Sequence, residues 1–269
     1  MSFTTENTSK ILYSCYFTRS REGEQFIREH VLSYQIAGTL TVFDGNKTFI
    51  TKEGDFRFSR KNKLAKFVKQ PPENGEFKSL SIYLDQQLLM EMSKEFNLHA
   101  AAHFPKEDAM ISLPHDPLYK SFMDSLLVYL QLPVEEQTKL MDLKVKEAIL
   151  LLIKVNPEIK DILFDFSEPV KADLESFMQK NYHFNVELQR FAYLTGRSLS
   201  TFKRDFEKIF HTTPSRWLVQ KRLEEAYHLI RDEGKTPSDV YLEVGFEDLS
   251  HFSFAFKKKY GLAPSLVKG

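Results

Sequence analysis

A chain of 269 residues with 42% hydrophobic content can bury sizeable cores in one or two domains, which excludes an intrinsically disordered protein. Lys and Arg balance Asp and Glu at 37 each, so the net charge is zero and points to no class of partner by itself. A single cysteine, Cys15, excludes an intramolecular disulfide and a thiolate-rich metal site.

Residues 1 to 10 are polar, so no secretory signal is expected. The densest apolar run, Ala148 to Val155, is too short to span a bilayer and contains Lys154. The expectation is a cytoplasmic protein without membrane contact. Cys15 reads as a strand residue rather than a redox sensor, since nothing basic is fixed beside it in sequence. Strand-like runs follow at Tyr34 to Phe43, Lys47 to Ile50, Asp55 to Ser59, Lys63 to Lys69 and Phe77 to Leu84. Asp44-Gly45-Asn46, Glu53-Gly54 and Pro71-Pro72 punctuate them, predicting a small β-barrel or sandwich.

Helical segments come next. Gln86 to Phe96 and Leu118 to Leu130 are amphipathic. Between them His99 and His103 stand at i, i+4 with His115 nearby, a spacing for a metal on a helix or for exposed or capping histidines. No acidic residue completes a zinc-protease pattern, and no metal or cofactor is expected. Lys139 to Val155 carries Met141, Val145, Ala148, Ile149 and Leu152 on one stripe, widened by Leu140, Leu143, Leu150 and Leu151. Packing onto the strands and contact with a second copy both fit so broad a stripe. Asn156-Pro157 ends this helix, and Phe164 to Pro169 leads into a second domain. The boundaries predicted are 1–165 and 171–269.

That second domain contains one segment twice. Ser198 to Phe210, followed by Pro214-Ser215, matches Asp248 to Tyr260, followed by Pro264-Ser265. Seven positions are identical at an offset of fifty, among them Leu199/Leu249, Phe202/Phe252 and Phe206/Phe256. Phe202, Phe206, Ile209 and Phe210 recur at i, i+4, i+7 and i+8, as do Phe252, Phe256 and Tyr260 at i, i+4 and i+8, so each copy is a helix with an aromatic stripe against a core. Ser200, Lys203, Arg204 and Glu207 fall on the opposite face of one, and Ser250, Ser253, Phe254 and Lys257 on that of the other. A glycine, Gly196 or Gly245, precedes each helix, and before it stands a short apolar-periodic segment: two helix-turn-helix units. Thr236-Pro237-Ser238-Asp239 has the chemistry of a helix start, and Asn185 with Glu187 is read as the same signal for the first unit. Pro214 to Arg231 is a connecting helix. From Lys171 onward 16 Lys and Arg face 13 Asp and Glu, a local excess of +3. Lys203, Arg204, Lys208, Arg216, Lys221, Arg222 and Lys257 to Lys259 form a candidate phosphate-binding patch. Lys257 to Lys259 also read as a solvated helix end favoured by the dipole.

Ala192 before Gly196, Pro214 with Trp217, Arg222-Leu223 with Ala226, Val244-Gly245-Phe246, Ser250-His251-Phe252 and Pro264-Ser265 together resemble the DNA-binding domain of AraC/XylS-type bacterial transcription regulators over residues 171 to 269. The resemblance implies an α+β protein with a cupin-like N-terminal β-barrel and flanking dimerisation helices, then an all-α domain of two helix-turn-helix units joined by a long helix. The barrel region lacks the metal-binding histidine cluster of true cupins, having only His30. Further implications are an activator of transcription that binds double-stranded DNA with both recognition helices, RNA polymerase as a partner, and control by a small-molecule effector or a partner protein. Ser200, Lys203, Arg204, Ser250, Ser253, Phe254 and Lys257 would contact DNA, the second unit mainly at phosphates through Ser250, Ser253 and Lys257, and Arg216, Lys221, Arg222 and Lys258 would meet further phosphates. A homodimer would form through Leu140, Leu143, Leu150 and Leu151.

Three residues depart from the family pattern. Tyr241 replaces a small alanine, so looser or shifted packing is expected in the second unit; Val267 replaces a terminal aromatic. Phe254 stands where the family often has a DNA-facing arginine, and two readings stay open: contact with thymine methyls, or burial in a rotated helix. On either reading the first unit is expected to carry most of the sequence specificity. No nucleophile, base or metal set stands at a defined spacing, so an enzyme is not expected. The alternative function is a protein-interaction module controlled by a partner protein, with DNA binding secondary. Such a module would not need two outward stripes of Ser, Lys and Arg.

Overall fold

A computed structural model describes residues 11–20, 25–101, 108–130 and 132–267, with backbone only over 134–139. The chain divides into two compact units, Met1–Ser167 and Glu168–Gly269.

The first unit starts with nine strands: β1 Ile11–Tyr16, β2 Phe26–Ile27, β3 His30–Ala37, β4 Thr39–Phe43, β5 Thr48–Thr51, β6 Phe56–Ser59, β7 Lys63–Leu64, β8 Lys66–Gln70 and β9 Phe77–Leu84. Helix α1 Gln86–Glu95, strand β10 Met110–Leu113 and helices α2 Pro117–Tyr129, α3 Val134–Val155 and α4 Ile159–Leu163 complete it. The strands form three antiparallel sheets, ordered β1-β9-β3-β6-β10, β5-β4-β8 and β2-β7.

Of the expected barrel or sandwich, the barrel is not closed, and the cause is local. The run predicted from Tyr34 to Phe43 breaks at a register shift between Gln35 and Ala37, followed by Gly38 at φ +80°. A β-carbon there would meet the Gln70 carbonyl at 2.6 Å, so only glycine fits where the chain leaves one sheet for the other.

The five-stranded sheet is covered on both faces. Leu32, Phe58, Leu80 and Ile82 pack with Met92, Tyr119, Val145 and Ile149 of the helices in one core. Tyr119 stacks on Phe56 at 5.3 Å and donates to Asn156 Oδ1 at 2.9 Å, tying α2 to the end of α3. On the other face Phe77 and Met110 meet Leu40 and Val42 of the three-stranded sheet. Beside that apolar cluster the same face buries Ser33, Gln35, Arg57 and Ser79. Arg57 Nη1 donates to Gln35 Oε1 at 3.2 Å, and Gln35 Nε2 is anchored on the carbonyls of Ala37 and Lys78. Desolvation lowers the Arg57 pKa to about 10, which leaves it a cation at neutral pH. Among the described residues no helix is long and apolar enough to cross a membrane.

The second unit is helical: α5 Leu174–Asn181, α6 Leu188–Leu194, α7 Leu199–Phe210, α8 Pro214–Arg231, α9 Pro237–Glu243, α10 Leu249–Tyr260 and a 3-10 turn Pro264–Leu266. The connecting helix has the predicted bounds. Helix α5 was not anticipated; its start is capped by Asp173, which accepts from Ser176 N at 2.7 Å.

Candidate nucleic-acid interface

The first helix-turn-helix is α6, a turn at Gly196, and α7. Gly196 has φ +64°, and a β-carbon on it would lie 2.7–2.8 Å from backbone atoms of Pro169, Val170 and Lys171, so no side chain is tolerated. Arg197 N donates to Ala192 O at 3.0 Å, closing the turn, and Ser198 caps α7 by accepting from Thr201 N at 3.3 Å. Phe202 and Phe206 are wholly buried, and Phe206 and Phe210 pack on Trp217 of α8 at 5.6 and 4.8 Å. Ile209, expected on that stripe, is instead 42% exposed, because the aromatic rings beside it already fill the contact with α8.

Outward from α7 stand Ser200, Lys203 and Arg204, all exposed. Asp205, their neighbour, is held by Arg197 Nε at 3.2 Å, which leaves Arg204 only a long 3.7 Å contact to it. The Asp205 carboxyl is accordingly pulled below its ordinary pKa, first by the Arg197 hydrogen bond.

The second unit repeats the plan with one residue added. Its turn glycine, Gly245 at φ +99°, is 49 positions after Gly196, whereas the capping residues Ser198 and Asp248 are 50 apart. The turn closes through Phe246 N to Tyr241 O at 2.8 Å, the counterpart of Arg197 to Ala192. Tyr241 is half-buried against the second core, so the closing bond is kept despite its bulk. Thr236 caps α9 as predicted, accepting from Asp239 N at 3.3 Å and donating to the Asp239 carboxylate at 2.8 Å. Asn185 does not cap α6: its side-chain amide donates to Glu247 Oε1 at 2.8 Å, and Glu187 occupies the cap position without a side-chain bond.

Phe252 and Phe256 are wholly buried, and Tyr260 packs on Tyr227 at 4.7 Å. On the opposite side Ser250 and Lys257 are exposed, Ser253 is half-buried, and Phe254 is 69% exposed. Of the two readings of Phe254, burial in a rotated helix is therefore excluded.

Of the expected phosphate contacts, Arg216 and Lys258 are exposed and Lys221 is half-buried, 3.9 Å from Glu224. Lys259 is engaged at home, donating to Gln220 O and Glu224 Oε1 at 3.1 Å each. Arg222 is the correction. It is buried, with Nε donating to Tyr182 O and Nη2 to Phe184 O, both at 2.8 Å, and desolvation lowers its pKa to about 10. Its guanidinium is buried and holds the chain between α5 and α6. Sequence reasoning took it for a surface cation because helical spacing alone does not reveal a carbonyl waiting on another segment.

In the first unit the stripe of α3 divides. Val145, Ala148, Ile149 and Leu152 are wholly buried, Leu140 and Leu151 half-buried, while Leu143 and Leu150 are 64% and 41% exposed one heptad apart. His99 sits 3.0 Å from Asn97 Oδ1 and His115 3.3 Å from Asp55 Oδ1, and His103 lies outside the described residues. Among the described residues no group of three His, Cys, Asp or Glu side chains is placed to hold a metal. Cys15 is an exposed residue of β1 whose pKa lies above the ordinary thiol value, through desolvation and its Glu76 neighbour, which disfavours a reactive thiolate.

Two helices with buried aromatic stripes and outward faces of Ser and Lys, joined by Arg204 in one and Phe254 in the other and connected through one long helix, define a helix-turn-helix DNA-binding domain. The chain matches the helix-turn-helix domain family over residues 191–268 and the ExsA N-terminal regulatory domain family over residues 30–164, half of its length. It belongs to the AraC-type transcriptional regulators that carry this N-terminal domain, and is a DNA-binding regulator of transcription, not an enzyme. It is 23% identical over 262 residues to the HTH-type transcriptional regulator ExsA of Pseudomonas aeruginosa, covering 95% of this chain and 92% of that one. Identity to the virulence regulon transcriptional activator VirF of Yersinia enterocolitica is 24% over 243 residues, covering 87% and 86%. A solved structure of apo ToxT from Vibrio cholerae aligns with a TM-score of 0.49 at 13% identity, covering 97% of each chain.

Proposed function

We propose that this protein is a transcriptional activator that lays α7 and α10 into successive major-groove segments on one face of a duplex. One observation carries the reading: both recognition helices pack on α8, α7 through Phe206 and Phe210 on Trp217 and α10 through Phe256 and Tyr260 on Tyr227, and each leaves the corresponding face exposed. The 18 residues of α8 rise about 27 Å, comparable with the roughly 34 Å between successive groove segments once side chains extend the reach. Arg204 is the main base reader, since its fork matches the O6 and N7 acceptors of guanine, with Lys203 and Ser200 assisting. Ser250, Ser253, Phe254 and Lys257 enter the second segment, while Arg216, Lys221 and Lys258 neutralise phosphates. Leu143 and Leu150, with Leu140 and Leu151 at the margin, pair two copies. The N-terminal unit receives a small molecule or a partner protein, and bound protein recruits RNA polymerase. The activating sense is supported by the similarity to VirF, a transcriptional activator.

Hydroxyl-radical footprinting on sites selected from random DNA tests the groove reading. Two protected segments about one helical turn apart, on one face, are expected for each bound copy. Affinity should also fall steeply with salt as phosphate contacts release counterions. A single protected segment per copy overturns the reading.

A further inference from the structure

Phe254 differs from the other rings of its helix. Every other aromatic ring of α10 has a ring partner: Phe252 lies 5.2 Å from Phe246, Phe256 6.1 Å from Tyr227, and Tyr260 4.7 Å from Tyr227. Phe254 has no ring partner among the described residues and is 69% exposed in the middle of the helix. It stands four residues after Ser250 and three before Lys257, both exposed, so the three share one face. Fifty positions earlier, the same place on α7 belongs to Arg204. The ring can neither donate to a phosphate nor pair with a base edge. Lys257 and Lys258 beside it favour a polyanion over an apolar protein surface as the occupant of this face. What a major groove offers an apolar side chain is the C5-methyl group of thymine.

We propose that α10 reads its half of the site through apolar contact between the Phe254 ring and one or two thymine methyl groups. This rests on the insertion of α10 into the groove, proposed above. The two units then differ in chemistry: α7 recognises guanine by hydrogen bonding and α10 recognises thymine by shape. Burial of a methyl-sized group corresponds to roughly 0.8 kcal/mol, or about fourfold in affinity per methyl.

The test uses the full chain on its selected site, with each thymine of the α10 segment replaced singly by deoxyuridine, which keeps pairing and removes only the methyl. Affinity should fall about three- to fivefold at one or two positions for the parent protein, and at none for Phe254→Ala, whose own affinity matches that of the parent on the demethylated site. Replacing the same thymines by 5-methylcytosine, paired with guanine, should lose less affinity than replacing them by cytosine. Phe254→Arg should move the preference at that position towards guanine. If the second segment is footprinted but no deoxyuridine matters to the parent, methyl reading is overturned while groove insertion stands. An equal loss in parent and Phe254→Ala also overturns it. If the second segment is not footprinted at all, both readings fall together.

Discussion

The Arg222 side chain lies 3.0 Å, at Nε, from the place a β-carbon on Gly245 would occupy. One guanidinium thus fills the space left by the glycine of the second turn while it donates to the carbonyls of Tyr182 and Phe184, just before the first helix-turn-helix. Both helix-turn-helix motifs are locked to α8 through it. Arg222→Met should cost roughly 2–4 kcal/mol, because two buried carbonyls lose a charged donor. Gly245→Ala should cost at least as much, since the added carbon would also meet His183 O at 2.7 Å with φ at +99°. Gly234→Ala is the control: φ is +68° but nothing lies within 4 Å, leaving only the backbone penalty of about 1–2 kcal/mol. Trp217, the single tryptophan, is buried in this unit and reports its urea unfolding by fluorescence. Equal losses for Gly245→Ala and Gly234→Ala would dismiss the lock.

The second unit was largely legible because its signals are local. A glycine forced to positive φ, a capping side chain and aromatic residues four apart are each decided within one turn of helix, and the fifty-residue repeat doubles them. What stayed hidden depends on segments far apart in sequence. Asn185 has the chemistry of a cap, but a carboxylate 62 residues away, on Glu247, takes its amide. Arg222 reads as one more cation until the carbonyls of Tyr182 and Phe184 come into place. In the first unit the predicted run Phe77 to Leu84 coincides with β9, whose alternation is strong. Strands β2 and β10 were missed, being only two and four residues long, while β1 was legible only at Cys15, read as a strand residue. Sheet membership was not legible either, since β3 and β4 form one apolar run that only the geometry at Gly38 separates.

Self-association is predicted to run through the outer stripe of α3. Leu143→Glu with Leu150→Glu adds charges at positions already 64% and 41% exposed, so the fold should be unaffected. The double variant should sediment as a monomer at micromolar concentration under conditions where the parent is a dimer. Its affinity for a tandem site should drop at least tenfold as the gain from effective concentration disappears. Ile149→Glu, on the buried stripe of the same helix, should instead unfold the first unit. A double variant that sediments like the parent places the contact on another surface.

Acid should weaken the first unit through His30. The ring is buried, stacks on Phe58 at 5.3 Å and accepts Lys61 N at Nδ1 over 3.2 Å, so its proton resides on Nε2, which makes no hydrogen bond among the described residues. Burial, then the positive charges of Lys61 and Arg60, lower its pKa from 6.5 to about 3, opposed by a backbone hydrogen bond with Ser59 and then by Asp165. The folded state therefore refuses a proton that the unfolded chain accepts. Its contribution to stability is complete above pH 6.5 and declines as pH falls from 6.5 towards 3, at about 1.4 kcal/mol per pH unit. Between pH 7 and 5 the parent should lose about 2 kcal/mol more than His30→Gln, which keeps an acceptor but does not titrate. Urea unfolding followed by far-ultraviolet circular dichroism measures the difference, with Trp217 fluorescence separating out the helical unit. If parent and His30→Gln lose stability in parallel over that range, the buried imidazole is not the group responsible.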